Sequence, residues 1–270
     1  ATRPYALARL RGQAGAFAHA DAIDTGSVEP LSFNETVALA ENILRSFDVS
    51  AALAEPIARA TMDCPLVTVM AARIAATEKL PPSLALDSRV FRGTILGKFA
   101  EVITGNLAGP GDQKALGDIL EVVSLVQPFG IEDTRFRELV IAVTGLEEHI
   151  VSRLLRLMAE GGIFFRRGHQ YRLMPDLLGD FIIERSCLSP GDTLNSLADR
   201  VFNAAPSVLL GNILVNLGRL DWRRNSGDVT KSHLVDHLWR ALLHGGELRD
   251  AALEAAASAA FYNPRQALRF

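Results

Sequence analysis

The stretch that most constrains the fold runs from Gln113 to Cys187. Apolar residues recur at helical spacing over Lys114–Val126, Thr134–Val143 and Glu147–Ala159, which predicts three consecutive amphipathic helices. In the third, Ile150, Leu154, Leu157 and Met158 fall on one face. Gly161-Gly162 ends it, because a left-handed residue after a helix costs glycine least. Two short strands follow, Ile163–Arg166 and Gln170–Leu173, joined across Arg167-Gly168-His169, where Gly168 is the residue a tight hairpin loop most often needs. Three helices and a hairpin in this order form the winged variant of helix-turn-helix.

The remainder reads as helical, so the expected fold class is mainly α. Ser32 and Glu35 have capping-box spacing and open a helix over Phe33–Phe47, with Val37, Ala40, Ile43, Leu44 and Phe47 on one face. An alanine-rich helix over Ser50–Thr61 and a helix over Val67–Ala76, apolar nearly all round, come next. Pro81-Pro82 breaks the chain before another amphipathic helix, Ser88–Thr104, which carries Val90, Phe91, Ile95, Phe99, Val102 and Ile103. Gly105 to Gly111 is the clearest linker, and Leu188–Asp192 is a second turn cluster. Further on, Val201–Leu210 finds an echo in Ala259–Leu268, which suggests helical-repeat units that cannot bury their apolar faces alone. The chain opens on Ala1-Thr2-Arg3-Pro4 and stops inside the second echo, so both ends read as cuts from a longer protein.

Bulk properties exclude several classes. No apolar run approaches the roughly 18 residues a spanning helix needs. Net charge is −3, which gives no electrostatic case for a dedicated nucleic-acid binder. Cys64 and Cys187 lie far apart in apolar helical contexts and read as buried thiols of a reducing, cytoplasmic compartment. No G-x-x-x-x-G-K-[ST] loop is present to cradle phosphates, so this chain alone should not hydrolyse a nucleotide. His233 and His237 share a helix with Asp236 at metal-pair spacing but lack a third ligand, and no metal site is expected. Nothing places Cys187 beside His149 or His169, and no catalytic residue is assigned. Trp222-Arg223-Arg224, diluted by Asp221 and Asp228, reads as a solvated turn.

Tyr171-Arg172-Leu173-Met174-Pro175-Asp176-Leu177-Leu178 resembles the end of the winged helix in STAND-class P-loop ATPases, the group that holds NB-ARC and NACHT immune receptors and bacterial antiphage relatives. Their motif reads Met-His-Asp-Leu-Leu, and its His reaches the phosphates of bound ADP. Met174, Asp176, Leu177 and Leu178 match, but Pro175 stands at the His position and has no donor to offer. Proline there reads instead as the first residue of a helix running to Cys187. Thr2-Arg3 is similar to the end of the family's sensor strand, whose Arg approaches the γ-phosphate. Pro30-Leu31-Ser32 fits the step into the family's helical lid. Cys64-Pro65-Leu66 resembles its Gly-x-Pro-Leu motif, whose Pro packs on adenine; Asp63 replaces the Gly. Pro65 also reads simply as a helix-opening proline after an Asp63 cap.

The resemblance implies four regions: the end of a nucleotide-binding domain over 1–30, a helical lid over 31–108, a winged helix over 112–187, and the start of an α-helical repeat region over 192–270. It implies nucleotide contacts from Arg3, Pro65 and Asp176, with ATP or ADP and Mg²⁺ held only in a full-length parent. The implied function is the lid and winged-helix switch of a signalling ATPase that couples nucleotide state to effector activation, with antiphage defence as one setting. The implied partners are adenine nucleotide, the parent's own nucleotide-binding and sensor regions, and further copies on activation. Membrane and DNA are not expected partners. Two alternatives stay open, a winged-helix transcription regulator and a non-catalytic helical adaptor. Against the regulator, Glu147 and Glu148 open the helix that would enter a DNA groove, although Arg153, Arg156, Arg166 and Arg167 are available to phosphates.

Overall fold

A computed structural model describes residues 31–61, 65–80, 88–107, 109, 111–189, 193–225, 227–231, 233–244 and 249–268. Among these the chain is mainly α, with 13 helices and one two-stranded antiparallel hairpin. The helices are α1 (Phe33–Ser46), α2 (Ala54–Thr61), α3 (Pro65–Thr77), α4 (Ser88–Leu107), α5 (Gln113–Val126), α6 (Thr134–Thr144) and α7 (Glu148–Glu160). Strands β1 (Phe164–Arg167) and β2 (Gln170–Leu173) come next. Then follow α8 (Asp176–Cys187), α9 (Ser196–Ala204), α10 (Ser207–Arg224), α11 (Asp236–His244), α12 (Arg249–Ala259) and α13 (Pro264–Ala267). The connector read over residues 1–30, Asp63-Cys64, Pro81-Pro82 and Pro190–Asp192 lie outside the described residues.

Helices α1 to α4 enclose the first core. The Ser32 box closes as its spacing predicts: the Glu35 N–H donates to the Ser32 hydroxyl at 3.3 Å, and the Ser32 N–H donates to the Glu35 carboxylate at 2.8 Å. The Ser32 hydroxyl, which also donates to the Glu35 carboxylate at 2.7 Å, and then the Ser32 N–H hold that carboxyl below the usual carboxylate range. Ala40 and Leu44 carry the buried face of α1, while Phe47 lies past its end and stays exposed. Short side chains let the helices approach closely, and Ala54, Ala60, Ala71, Ala72, Ala75 and Ala76 interleave with Leu53, Ile57, Ile74, Phe91 and Ile95. The Thr61 and Thr68 hydroxyls, both buried, satisfy each other at 2.8 Å. On α4 the sequence-predicted Val90 is exposed and Leu96 is buried in its place. Helix α4 also continues through Gly105-Asn106-Leu107, so the break there is shorter than glycine content alone suggests.

The second core begins with α5. On α7 the buried face centres on Val151, Leu154, Leu155 and Met158, with the expected Ile150 and Leu157 at its half-buried rim. Gly162 takes φ of 74° after that helix. The Ile163 N–H returns to Met158 O at 3.1 Å and the Gly162 N–H to Ala159 O at 3.2 Å, a Schellman stop. The hairpin starts one residue later than its expected first strand. It pairs Phe164 with Leu173 and Arg167 with Gln170, around a two-residue loop whose Gly168 has φ of 63°. Phe129 bridges to Tyr171 along the far side of β2, stacks on Phe136 at 4.5 Å and meets Phe164 edge-on at 5.1 Å.

This core does not stop where the hairpin unit ends. Leu178, Ile183, Cys187, Val201, Leu214, Leu217 and Trp239 belong to the same apolar cluster as Leu116 and Leu154. Helix α10 fastens the two parts together through amide side chains one turn apart. Asn212 Nδ2 donates to Val126 O and Pro128 O at 3.1 and 2.9 Å. Asn216 Nδ2 donates to Leu125 O and Gln127 O at 2.8 and 2.6 Å. They satisfy carbonyls that α5 leaves open at its C-terminus. On the opposite side α10 approaches α12 at Gly211, where a Cβ would lie 3.3 Å from Ala255 Cα. The two echoing stretches open different helices. Pro206 caps α10, 18 residues long, whereas Pro264 is the first residue of the four-residue α13.

Candidate functional site

Two helix starts carry the sequence-predicted nucleotide residues. Pro65 is the first residue of α3, where its missing N–H leaves no intrahelical bond unmade. It is exposed, as is Leu66 at 43%, while Val67 turns inward. Pro175 does not open α8 as the sequence predicts; it is the N-cap, with ψ of 161° and a cis bond to Met174, and Asp176 is the first helical residue. Proline has no cap side chain, so none closes this helix start. Pro175 is buried and Asp176 half-buried. The Asp176 carboxylate therefore sits in the first turn, where the helix dipole favours it.

The structure brings these two starts to one joint. Val67 of α3, Leu96 of α4 and Leu177 of α8 form a small apolar cluster of their own, with Phe181 against it. Pro65 and Asp176 stand two and one residues before members of this cluster, each at the start of its own helix. Arg3 lies outside the described residues.

Behind the joint, α8 is held rigidly. Asp180 is buried and accepts from Arg219 at 2.7 and 3.1 Å and also from Arg223; Arg219 is 3% exposed. One turn on, Arg224 pairs with Glu184 at 2.7 Å. The Trp222-Arg223-Arg224 stretch is thus the end of α10 clamped on α8, not a solvated turn. At the hairpin end, Gln127 is buried and its Oε1 accepts from the Leu173 N–H at 2.9 Å, tying β2 to the end of α5. Sequence reasoning missed Gln127, Asp180, Asn212, Asn216 and Arg219. Only the placement of an amide or charge on an otherwise apolar helical face could have flagged them.

The remaining constellations resolve into local pairs. His237 Nε2 lies 2.8 Å from Asp199 and His233 Nδ1 lies 3.2 Å from Asp236. They line a polar cavity of about 450 Å³ with Lys231 and Arg240, and no metal-holding group of three or more His, Cys, Asp or Glu occurs among the described residues. Cys187 is buried, and burial pushes its thiol up to about 11, away from the thiolate that acts as a nucleophile. His149 faces Glu147 at 3.1 Å and His169 sits at the exposed hairpin tip, so neither activates it. Of the four arginines noted for DNA, Arg153 is taken in a bidentate pair with Asp112 at 2.8 Å, and Arg156 and Arg166 bond to backbone carbonyls. Glu147 and Glu148 are exposed at the start of α7. No family model, no curated protein and no solved structure matches this chain.

Proposed function

We propose that this chain is the lid and winged-helix switch of a STAND-type signalling ATPase, with α1–α4 as the lid, α5–α8 as the winged-helix domain and α9–α13 as the start of a helical array. The observation that carries the reading is the shared joint, where α3 with its exposed Pro65 and α8 with Asp176 start beside one apolar seam. An adenine ring would lie on Pro65 and Leu66, a flat apolar surface. Asp176 would stand near the phosphates and act through Mg²⁺ or an arginine of the parent, because a bare carboxylate repels phosphate. Pro175 offers no donor, so the resting ADP state would rest on neighbouring groups. The phosphate loop and Mg²⁺ ligands would come from the parent's nucleotide domain, and coupling to an effector follows from closing and reopening this seam. Antiphage defence in the cytoplasm is the setting the family resemblance suggests, and self-association on activation belongs to the same proposal.

The test is release of a fluorescent ADP analogue from the full-length parent. Pro65→Asp should speed release by about tenfold, equivalent to about 1.4 kcal/mol of lost contact. Unchanged release, or a parent that holds no nucleotide, would defeat the proposal.

A further inference from the structure

The outer face of the β1–β2 hairpin carries chemistry that the nucleotide reading does not use. The pairing register puts Phe165 opposite Arg172 and Arg167 opposite Gln170, so all four share one face of the ribbon. The other face turns Phe164 and Leu173 into the core. Phe165 is 56% exposed, the most exposed aromatic apart from Phe261 among the described residues. Arg167 beside it makes no hydrogen bond or ion pair among the described residues. At the tip, Arg166 is held in place by Gly168 O at 2.9 Å, with its guanidinium over the Tyr171 ring.

No carboxylate lies within residues 161–175. In the adjoining loop Asp133 is occupied by Arg135 and Glu132 by Arg137, and Glu160 precedes the base of the ribbon, away from its tip. Among the described residues, a chain of net charge −3 thus presents a small surface on which an exposed aromatic ring stands beside the Arg167 cation.

We propose that this face is a contact for single-stranded nucleic acid, in which Phe165 stacks on an unpaired base while Arg167 meets a flanking phosphate. A π-face accepts any base, and guanidinium groups suit phosphates, so the contact would be tolerant of sequence. Duplex DNA keeps its bases stacked inside and offers Phe165 no ring. The acidic start of α7 also repels a duplex from the adjoining groove-reading face.

The experiment is fluorescence anisotropy of labelled 20-mer dT and U strands, and of a 20-base-pair duplex, titrated with the chain at low salt. Single strands should bind at least about fivefold tighter than the duplex. Phe165→Ala should weaken the single strand by at least about fivefold, the lower bound for one lost stacked base, and Phe165→Trp should restore it. Arg167→Ala should lower the salt dependence by about 0.7 in the log–log slope, one phosphate's share for a single strand. Both side chains are exposed, and unchanged circular dichroism would show that the fold survives. No binding at low salt, equal binding of duplex, full affinity in Phe165→Ala, or equal competition by polyglutamate would each overturn the proposal. The last of these would mark the face as a site for acidic protein segments.

Discussion

The two cores of this molecule are built by opposite means. The α1–α4 core counts seven alanines among its 13 buried residues, and the only buried polar pair described within it joins Thr61 and Thr68. The α5–α12 core is made of large aliphatic and aromatic side chains, and it is threaded by Gln127, Asn212, Asn216 and the Asp180–Arg219–Arg223 group. Alanine permits close helix approach but buries little apolar area, at about 0.8 kcal/mol per buried methylene. Buried amides and charges act differently, since each must find its one partner or lose about 1–3 kcal/mol. The second core is thus specified by polar pairing as well as by volume, and the seam at Val67, Leu96 and Leu177 lies between it and a core built mainly from alanine and a few larger apolar side chains.

The strongest way to break the comparison is Asp180→Ala. It leaves Arg219 buried and unpaired, so it should cost about 3–5 kcal/mol in urea unfolding. Amide exchange in α1–α3 should stay as it is, and equal acceleration in both cores would show that they unfold as one unit. Ser32→Ala works on the other side. Loss of the capping box should cost about 1 kcal/mol and speed exchange in α1 while leaving α5–α8 untouched.

A third effect, confined to alkaline pH, concerns Cys187. Its thiol is raised by burial to about 11 from an ordinary 9.0, so between those values the unfolded chain sheds its proton while the folded chain keeps it. This group therefore leaves stability unchanged below pH 9 and lowers it as pH climbs towards 11. Comparing urea midpoints with Cys187→Ala across that window should show the wild type losing stability faster; parallel curves would contradict it.

Features legible in the sequence were those whose two halves lie a few residues apart. Ser32 and Glu35, the Gly161-Gly162 stop and the Gly168 turn each announce themselves because local backbone chemistry decides them. Gly105 misled because a helix in tertiary contact overrides glycine's poor propensity, and α4 runs through it. The sequence puts Pro175 one residue too far into α8, since N-cap and first-turn positions both admit a residue without an N–H. Arg219 and Arg223 were illegible in principle, because their partner Asp180 lies about 40 positions away and nothing local distinguishes a clamp from a surface charge. The candidate site was half legible. Short motifs pointed to Pro65 and Asp176, but only the fold brings α3 and α8 to the same seam.

The central claim is that this seam answers to adenine nucleotide, and amide hydrogen exchange on the full-length parent with and without ADP tests it most directly. The account predicts slower exchange in the first turns of α3 and α8 together, over residues 66–70 and 177–181, with little change in α10, which is already fixed by its clamps on α5 and α8. ADP-dependent protection that spares both of those turns, or no protection anywhere in the chain, would contradict it.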